Sequence, residues 1–217
     1  MSALSAEREL VAAACRRLAS EGLVPGTAGN ASMRAGDLVA ITPTGAVLGE
    51  LEPEQVTVVD LDGRVVDGTL APTSEIDLHL GVYSRIGAGA VVHTHAPMAT
   101  AIACVVDELP LVHYQMLALG GAVRVAPYAT FGTPELAEGV VEALEGHSAA
   151  LMRSHGAVCI GGDVDGATEA TLLLEWACNV YWHARALGEP HVLTDDEVND
   201  VVAAVTERGY GAVKEID

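Results

Sequence analysis

Three histidines, in two separate segments of the chain, carry the kind of side chain that binds a metal ion. His93 and His95 are two residues apart at the end of an apolar run, and His155 follows much later, in Ser154-His155-Gly156. Because side chains alternate across a β-strand, the rings of His93 and His95 point to the same face. Three imidazoles that leave one coordination position open are typical of a catalytic zinc site. The three residues therefore predict zinc ligands, although each histidine alone is compatible with an ordinary hydrogen-bonded role.

Glu75 is a carboxylate that could act at such a metal site. It follows Pro72-Thr73-Ser74, where a helical pattern starts. One interpretation is an acid in the first turn that interacts with the helix dipole. The other is a fourth metal ligand that becomes a general base when substrate displaces it. The three histidines favour the second interpretation.

Three short segments have the composition of an anion site, because small side chains leave backbone N–H groups and hydroxyls accessible. They are Gly26-Thr27-Ala28-Gly29-Asn30, Thr42-Pro43-Thr44-Gly45 and Thr73-Ser74. Each segment alone is compatible with a simple turn. Together with an electrophilic metal, they predict a phosphorylated small molecule that is bound at one end and polarised at the other.

The charged residues exclude several classes of function. Eleven Lys and Arg against thirty Asp and Glu give a net charge of -19, which opposes binding to nucleic acid. Lys214, near the end of the sequence, is the chain's one lysine, so neither an internal Schiff-base lysine nor a Gly-Lys-Ser/Thr phosphate loop is present. Carbon–carbon chemistry here would need a metal to accept the electrons. No apolar run is long enough to cross a membrane and no signal peptide is evident, so we expect a cytoplasmic protein.

Apolar periodicity predicts alternating helices and strands in one α/β domain that spans residues 1–217. The predicted helices are 5–21, 74–85, one that begins near Pro97, 135–144, 166–187 and one that runs from the Thr194 capping box to Arg208. The predicted strands are 30–34, 37–42, 56–60, 64–66 and 90–92, with 149–160 as strand material folded around Gly156.

Several short strings, in order along nearly the whole chain, resemble those of the class II aldolase and epimerase family, which also contains the adducin-like proteins. The strings are Gly26 to Ser32, Ile41 to Gly45, Pro72 to Glu75, Val91 to His95, His113-Tyr114, Pro127 to Thr133 and His155-Gly156. The resemblance implies a three-layer α/β/α fold around a mixed, mostly antiparallel sheet. It also implies a homotetramer with active sites between neighbouring subunits.

The resemblance assigns a role to each matching residue. His93, His95 and His155 would bind one Zn²⁺ per subunit, with Glu75 as resting ligand and catalytic acid/base. Tyr114 would reach the neighbouring subunit's site and protonate the aldehyde oxygen, Tyr210 would be a mobile C-terminal catalytic tyrosine, and Phe131 would line the aldehyde side. The phosphate-binding positions would be Gly29, Asn30, Thr44, Gly45, Thr73 and Ser74.

The implied reaction is the reversible cleavage of a ketose 1-phosphate into dihydroxyacetone phosphate and a small aldehyde. A sugar-phosphate 4-epimerase of the L-ribulose-5-phosphate type and a thio-sugar-phosphate dehydratase are alternatives on the same fold. A non-enzymatic interaction module is a third alternative, and the presence of the three histidines and Glu75 argues against it.

Overall fold

The computed structural model describes residues 3–208, which form a central β-sheet covered by helices on both faces. Within these residues the sheet has nine strands in the order β4-β3-β2-β1-β5-β9-β8-β7-β6. The strands are β1 Asn30–Ala35, β2 Leu38–Ile41, β3 Thr57–Asp60, β4 Val65–Asp67, β5 Ala90–Thr94, β6 Glu108–Leu109, β7 Val123–Ala126, β8 Ala149–Met152 and β9 Gly156–Gly161. The β7–β8 pair is parallel and the other described pairs are antiparallel, which confirms the predicted mixed sheet.

Helices bury both faces of the sheet, so that it separates two apolar cores. The helices are α1 Ser5–Ser20, α2 Ile76–Arg85, α3 Pro97–Ala103, α4 Pro134–Leu144, α5 Val164–Leu187 and α6 Asp195–Arg208. Helices α1, α3 and α5 cover one face, and α2 and α4 cover the other. Along β5, Ala90 and Val92 point into the first core and Val91 into the second, as the alternation of a strand requires. The three-layer arrangement is therefore confirmed.

Side-chain caps fix where several helices begin. The Thr133 hydroxyl accepts the Leu136 N–H ahead of α4, and Asp163 accepts the Gly166 N–H ahead of α5. Because Asp163 is the cap, α5 begins at Val164, two residues before the predicted start. Within residues 3–208, no helix has the combination of length and apolar character that a membrane crossing needs.

Two strands and three 3₁₀ helices were not predicted. Strands β6 and β7 are too short to show a periodicity, and the 3₁₀ helices have three to six residues each, at Leu48–Glu50, Pro53–Gln55 and Tyr114–Leu119. The chain also reverses between β8 and β9 at residues 153–155 and not at Gly156, which is instead the first residue of β9. Ser154 takes the left-handed conformation in this turn, with φ 54°.

Gly156 is required by the close approach of β9 to β5. A Cβ atom at this position would lie 2.2 Å from the Thr94 carbonyl oxygen, which is backbone between His93 and His95. The glycine therefore lets the β8–β9 turn, and with it His155, lie against the end of β5.

We expect Gly156→Ala to lower the free energy of unfolding by about 1–3 kcal/mol, because the methyl group must displace backbone. Chemical denaturation measures this effect. Gly139→Ala on α4 is the matched control: its Cβ would lie 3.6 Å from Pro127, an ordinary contact. Alanine there should raise the free energy of unfolding by roughly 0.4–1 kcal/mol. Equal effects of the two substitutions would contradict this account of Gly156.

Candidate active site

The three predicted histidine ligands converge at one end of β5. His93 lies in β5, His95 follows the end of that strand, and His155 ends the β8–β9 turn. Each pair of ring centroids is 4.9 Å apart, and the Nε2 atoms of His93 and His95 are 3.1 Å apart. One ligand nitrogen from each ring lies within 4.8 Å of the others. Such a cluster of nitrogens is able to hold one cation.

The fully buried His93 ring is oriented by the sheet. Its Nδ1 donates a hydrogen bond to the Ala157 carbonyl oxygen at 2.9 Å, so the lone pair of Nε2 faces the other two rings. A second hydrogen bond of this kind commonly fixes the tautomer of a metal-binding histidine. Burial lowers the pKa of His93 to about 4 and also lowers the pKa values of His95 and His155. The three rings are therefore neutral at pH 7, the protonation state that binds metal.

Glu75 occupies the N-cap position of α2, but its side chain makes no cap hydrogen bond. The carboxylate turns toward the histidines, with Oε2 3.3 Å from His93 Nε2 and Oε1 3.6 Å from His155 Nε2. Oε2 also accepts a hydrogen bond from Asn30 Nδ2 at 2.9 Å, whereas the buried Oε1 has no hydrogen-bond partner among the described residues. This orientation favours the metal-site interpretation over the helix-dipole interpretation.

The pKa of Glu75 lies below that of an ordinary glutamate. Burial alone would raise this pKa, but attraction to His93, which acts in acid where that ring is protonated, and the hydrogen bond from Asn30 outweigh burial. The carboxylate is therefore ionised at pH 7 in the protein without metal.

A pocket of about 380 Å³ opens directly in front of this cluster, with Glu75, His95 and His155 in its wall. The positions expected to bind phosphate also line it: Gly29, Asn30, Thr44, Gly45, Thr73 and Ser74. Backbone contacts bring two of their segments side by side, since the Thr44 N–H bonds the Ala71 carbonyl and the Thr73 N–H bonds the Thr42 carbonyl. The wall of one pocket therefore combines Glu75 and two of the histidines with a set of hydroxyls and small residues that has the composition of an anion site.

Asn30 differs from the other expected phosphate positions. Its side-chain amide is committed inside the protein, because Nδ2 donates to Glu75 and Oδ1 accepts from the His79 ring. Asn30 is only 4% exposed. Nδ2 carries a second hydrogen and Asn30 lines the pocket, so its assignment to the phosphate stays a prediction.

The aromatic residues predicted for catalysis and specificity lie in different places. Phe131 lines the pocket mouth beside Tyr128, and both are 68% exposed. Tyr114 begins a 3₁₀ helix, stacks beside His113 at a ring distance of 4.6 Å, and does not line this pocket within the single chain. Tyr210, like Lys214, lies outside the described residues 3–208.

Sequence reasoning missed three buried polar residues behind Glu75, namely Ser32, His79 and Tyr83. Burial lowers the pKa of His79 to about 3, so this ring is neutral at pH 7. One sequence signal was available: His79 follows Glu75 by four residues at the start of a helix, a spacing that puts both on the same side. Ser32 offered no comparable signal.

The sequence and the fold were compared with those of known protein families, characterised proteins and solved structures. The family described as Class II Aldolase and Adducin N-terminal domain matches residues 9–182. A 5-deoxy-D-ribulose 1-phosphate aldolase from Bacillus thuringiensis serovar kurstaki is 38% identical over 96% of this chain and 98% of its own. A 5-methylthioribulose-1-phosphate/5-deoxyribulose-1-phosphate aldolase from Rhodospirillum rubrum is 37% identical, over 92% and 90% respectively. A solved structure of an L-fuculose 1-phosphate aldolase superposes with a TM-score of 0.89 at 34% identity, covering 94% of this chain and 98% of that one.

Proposed function

The chain belongs to the class II aldolase and adducin N-terminal domain family, and from this premise we propose that it is a metal-dependent aldolase. Its substrate is a ketose 1-phosphate, cleaved reversibly to dihydroxyacetone phosphate and a small aldehyde. The observation that carries this proposal is the contact of Glu75 with a cluster of three histidines, His93, His95 and His155, of which the last two line the pocket with Glu75. The curated relatives favour an aldolase over the 4-epimerase and dehydratase alternatives, because their names specify aldolases of ketose 1-phosphates.

The residues present fit a bound divalent cation. Three neutral imidazole nitrogens converge, and the unpartnered, buried Oε1 of Glu75 is aimed at the same space. An all-nitrogen set of three histidines suits Zn²⁺, and we propose one Zn²⁺ per subunit with Glu75 as the resting fourth ligand. When bound, the ion would stabilise the negative charge that develops as the carbon–carbon bond breaks.

Other residues of the pocket would bind the phosphate and the aldehyde portion of the substrate. The phosphate would be bound through N–H groups and hydroxyls, which orients the ketose without a basic side chain, at Gly29, Asn30, Thr44, Gly45, Thr73 and Ser74. Phe131 at the mouth would contact the aldehyde portion.

Glu75 would exchange the proton with the dihydroxyacetone phosphate carbon. Asn30 occupies Oε2, so Oε1 is the oxygen that can take up the proton and return it. Tyr114, which lies away from the pocket of its own chain, would protonate the aldehyde oxygen in a neighbouring subunit's site. We therefore propose a homotetramer with intersubunit sites, completed by Tyr210.

The direct test is to incubate the Zn²⁺-loaded protein with dihydroxyacetone phosphate and a panel of small aldehydes, and to identify the adducts and their stereochemistry. The relatives' names suggest two groups of substrate, the 5-deoxypentulose 1-phosphates and L-fuculose 1-phosphate. Formation of a ketose 1-phosphate from at least one aldehyde supports the proposal. Formation of none, with metal bound, would contradict it.

We expect Ser74→Ala to raise the KM for the ketose 1-phosphate by about tenfold, since one hydrogen bond to a charged group contributes about 1.5 kcal/mol. The kcat should change much less, because the hydroxyl would contact the phosphate and not the reacting carbons. Ser84→Ala, which removes an exposed hydroxyl on α2 that does not line the pocket, is the control and should leave KM unchanged. An unchanged KM for Ser74→Ala would remove this residue from the phosphate site.

A further inference from the structure

A chain of hydrogen bonds runs from Glu75 into the protein core. Asn30 Nδ2 lies 2.9 Å from Glu75 Oε2, and Asn30 Oδ1 lies 2.5 Å from His79 Nε2. The Ser32 hydroxyl lies 2.6 Å from both His79 Nδ1 and the Tyr83 hydroxyl. We call Asn30, His79, Ser32 and Tyr83 the Glu75 relay.

The direction of every bond in the relay follows from the carboxylate. Glu75 Oε2 can only accept, so Asn30 must turn its NH₂ group toward it and its Oδ1 toward His79. Because Oδ1 only accepts, His79 carries its proton on Nε2 and leaves Nδ1 as an acceptor. Ser32 must then donate to Nδ1, and its oxygen accepts from the Tyr83 hydroxyl. The relay thus has a single self-consistent pattern of donors and acceptors.

The relay residues are presented by two regular elements, β1 and α2. Asn30 and Ser32 are two residues apart in β1 and therefore point to the same face of the sheet. His79 and Tyr83 are about one turn apart on α2. Ser32 and His79 are completely buried and Tyr83 is 1% exposed. Buried polar side chains are costly unless every group is paired, so four of them in one line are not explained by packing alone.

We propose that His79 is a positioning residue for catalysis, whose fixed Nε2–H tautomer holds the Asn30 amide so that it always donates to Glu75. This inference rests on the proposed function, in which Oε1 of Glu75 exchanges the proton. His79 is connected to Glu75 by two successive hydrogen bonds through Asn30, and it does not line the pocket. Without His79, Asn30 Oδ1 would lose its donor and the amide would be held by Glu75 alone, so that it would fix the carboxylate less firmly.

The tautomer can be observed without substrate or turnover. In the full-length, ¹⁵N-histidine-labelled protein, long-range ¹H–¹⁵N correlation spectra distinguish a protonated Nε2 from a protonated Nδ1, and a His79→Gln difference spectrum assigns the signal. We expect the Nε2–H form throughout pH 6–8, because the buried ring has no reason to titrate there. An Nδ1–H form, or an exchanging mixture, would overturn the inference. Because no activity is needed, this outcome is separable from a failure of the aldolase proposal.

Two substitutions then test the catalytic consequence. His79→Leu removes the N–H donor and should lower kcat by about 10- to 100-fold while KM stays nearly constant. This pattern is expected when a residue that orients a catalytic group, but does not contact substrate, is lost. His79→Gln keeps an N–H donor at a similar distance and should recover most of that loss. If both variants lose kcat equally, or if KM rises instead, the residue is structural and the proposal is wrong. If His79→Leu does not fold, the tautomer spectrum of the unsubstituted protein still decides it.

Discussion

Glu75→Gln should lower the kcat for ketose 1-phosphate cleavage by about 10²–10⁴-fold, the contribution of a positioned acid/base group. The amide has the shape of the carboxylate, and its oxygen can still accept the hydrogen bond from Asn30 Nδ2. It cannot take up a proton from carbon, however. Steady-state kinetics on the metal-loaded variant measure this loss.

A partial reaction makes the Glu75 test specific. Exchange of a carbon-bound hydrogen of dihydroxyacetone phosphate with deuterated solvent needs the acid/base group but no aldehyde, so Glu75→Gln should also abolish this exchange. Glu138→Gln is the control: this exposed carboxylate on α4 pairs with Arg85 away from the pocket, and its loss should leave both rates unchanged. Normal deuterium exchange by Glu75→Gln, with the metal still bound, would return Glu75 to a structural role.

Removal of the metal should also have a large effect on cleavage activity. A chelator-treated protein should lose cleavage activity by at least about 10³-fold, because a Lewis acid contributes several kcal/mol to stabilising the developing charge. Added Zn²⁺ should restore activity at one ion per chain, which elemental analysis can count. His155→Ala should weaken this binding, since it removes one of three converging ligands.

Two further measurements distinguish a metal-dependent aldolase from an aldolase that forms a Schiff base. Borohydride with dihydroxyacetone phosphate should add no mass to the protein, and Lys214→Arg, which removes the chain's one lysine, should leave activity intact. Full activity in a protein without metal, or a trapped covalent adduct, would each contradict the proposed function.

The sequence was sufficient to predict the longer helices and strands, which have a periodic apolar pattern, and the histidines that lie in recognisable motifs. His93 and His95 could be placed on one face from the period of a strand, and His155 only by its pairing with a glycine. Their convergence needed three dimensions, because β5 and the β8–β9 turn meet through the pairing of β5 with β9. Strands β6 and β7 carried too few residues for any pattern.

Residues that act through partners were harder to predict. The hydrogen bonds of Asn30 with Glu75 and His79 depend on β1 packing beside α2, and no sequence pattern shows them. His79 itself looks like one polar residue in an amphipathic helix until Ser32 is placed beside it. Tyr114 is a different case, because its proposed partner lies on another subunit and one chain cannot bring the two together.

His93 lies on β5, the fifth strand in an order of nine, while Tyr128 and Phe131 lie exposed at the pocket mouth. The proposed reactive centre therefore lies on a central strand of the sheet, whereas the side chains proposed to meet the aldehyde are exposed at the surface. A mutational library confined to positions 128 and 131 could broaden the range of accepted electrophiles while the chemistry underneath stays intact, which makes this fold a natural starting point for engineered carbon–carbon bond synthesis.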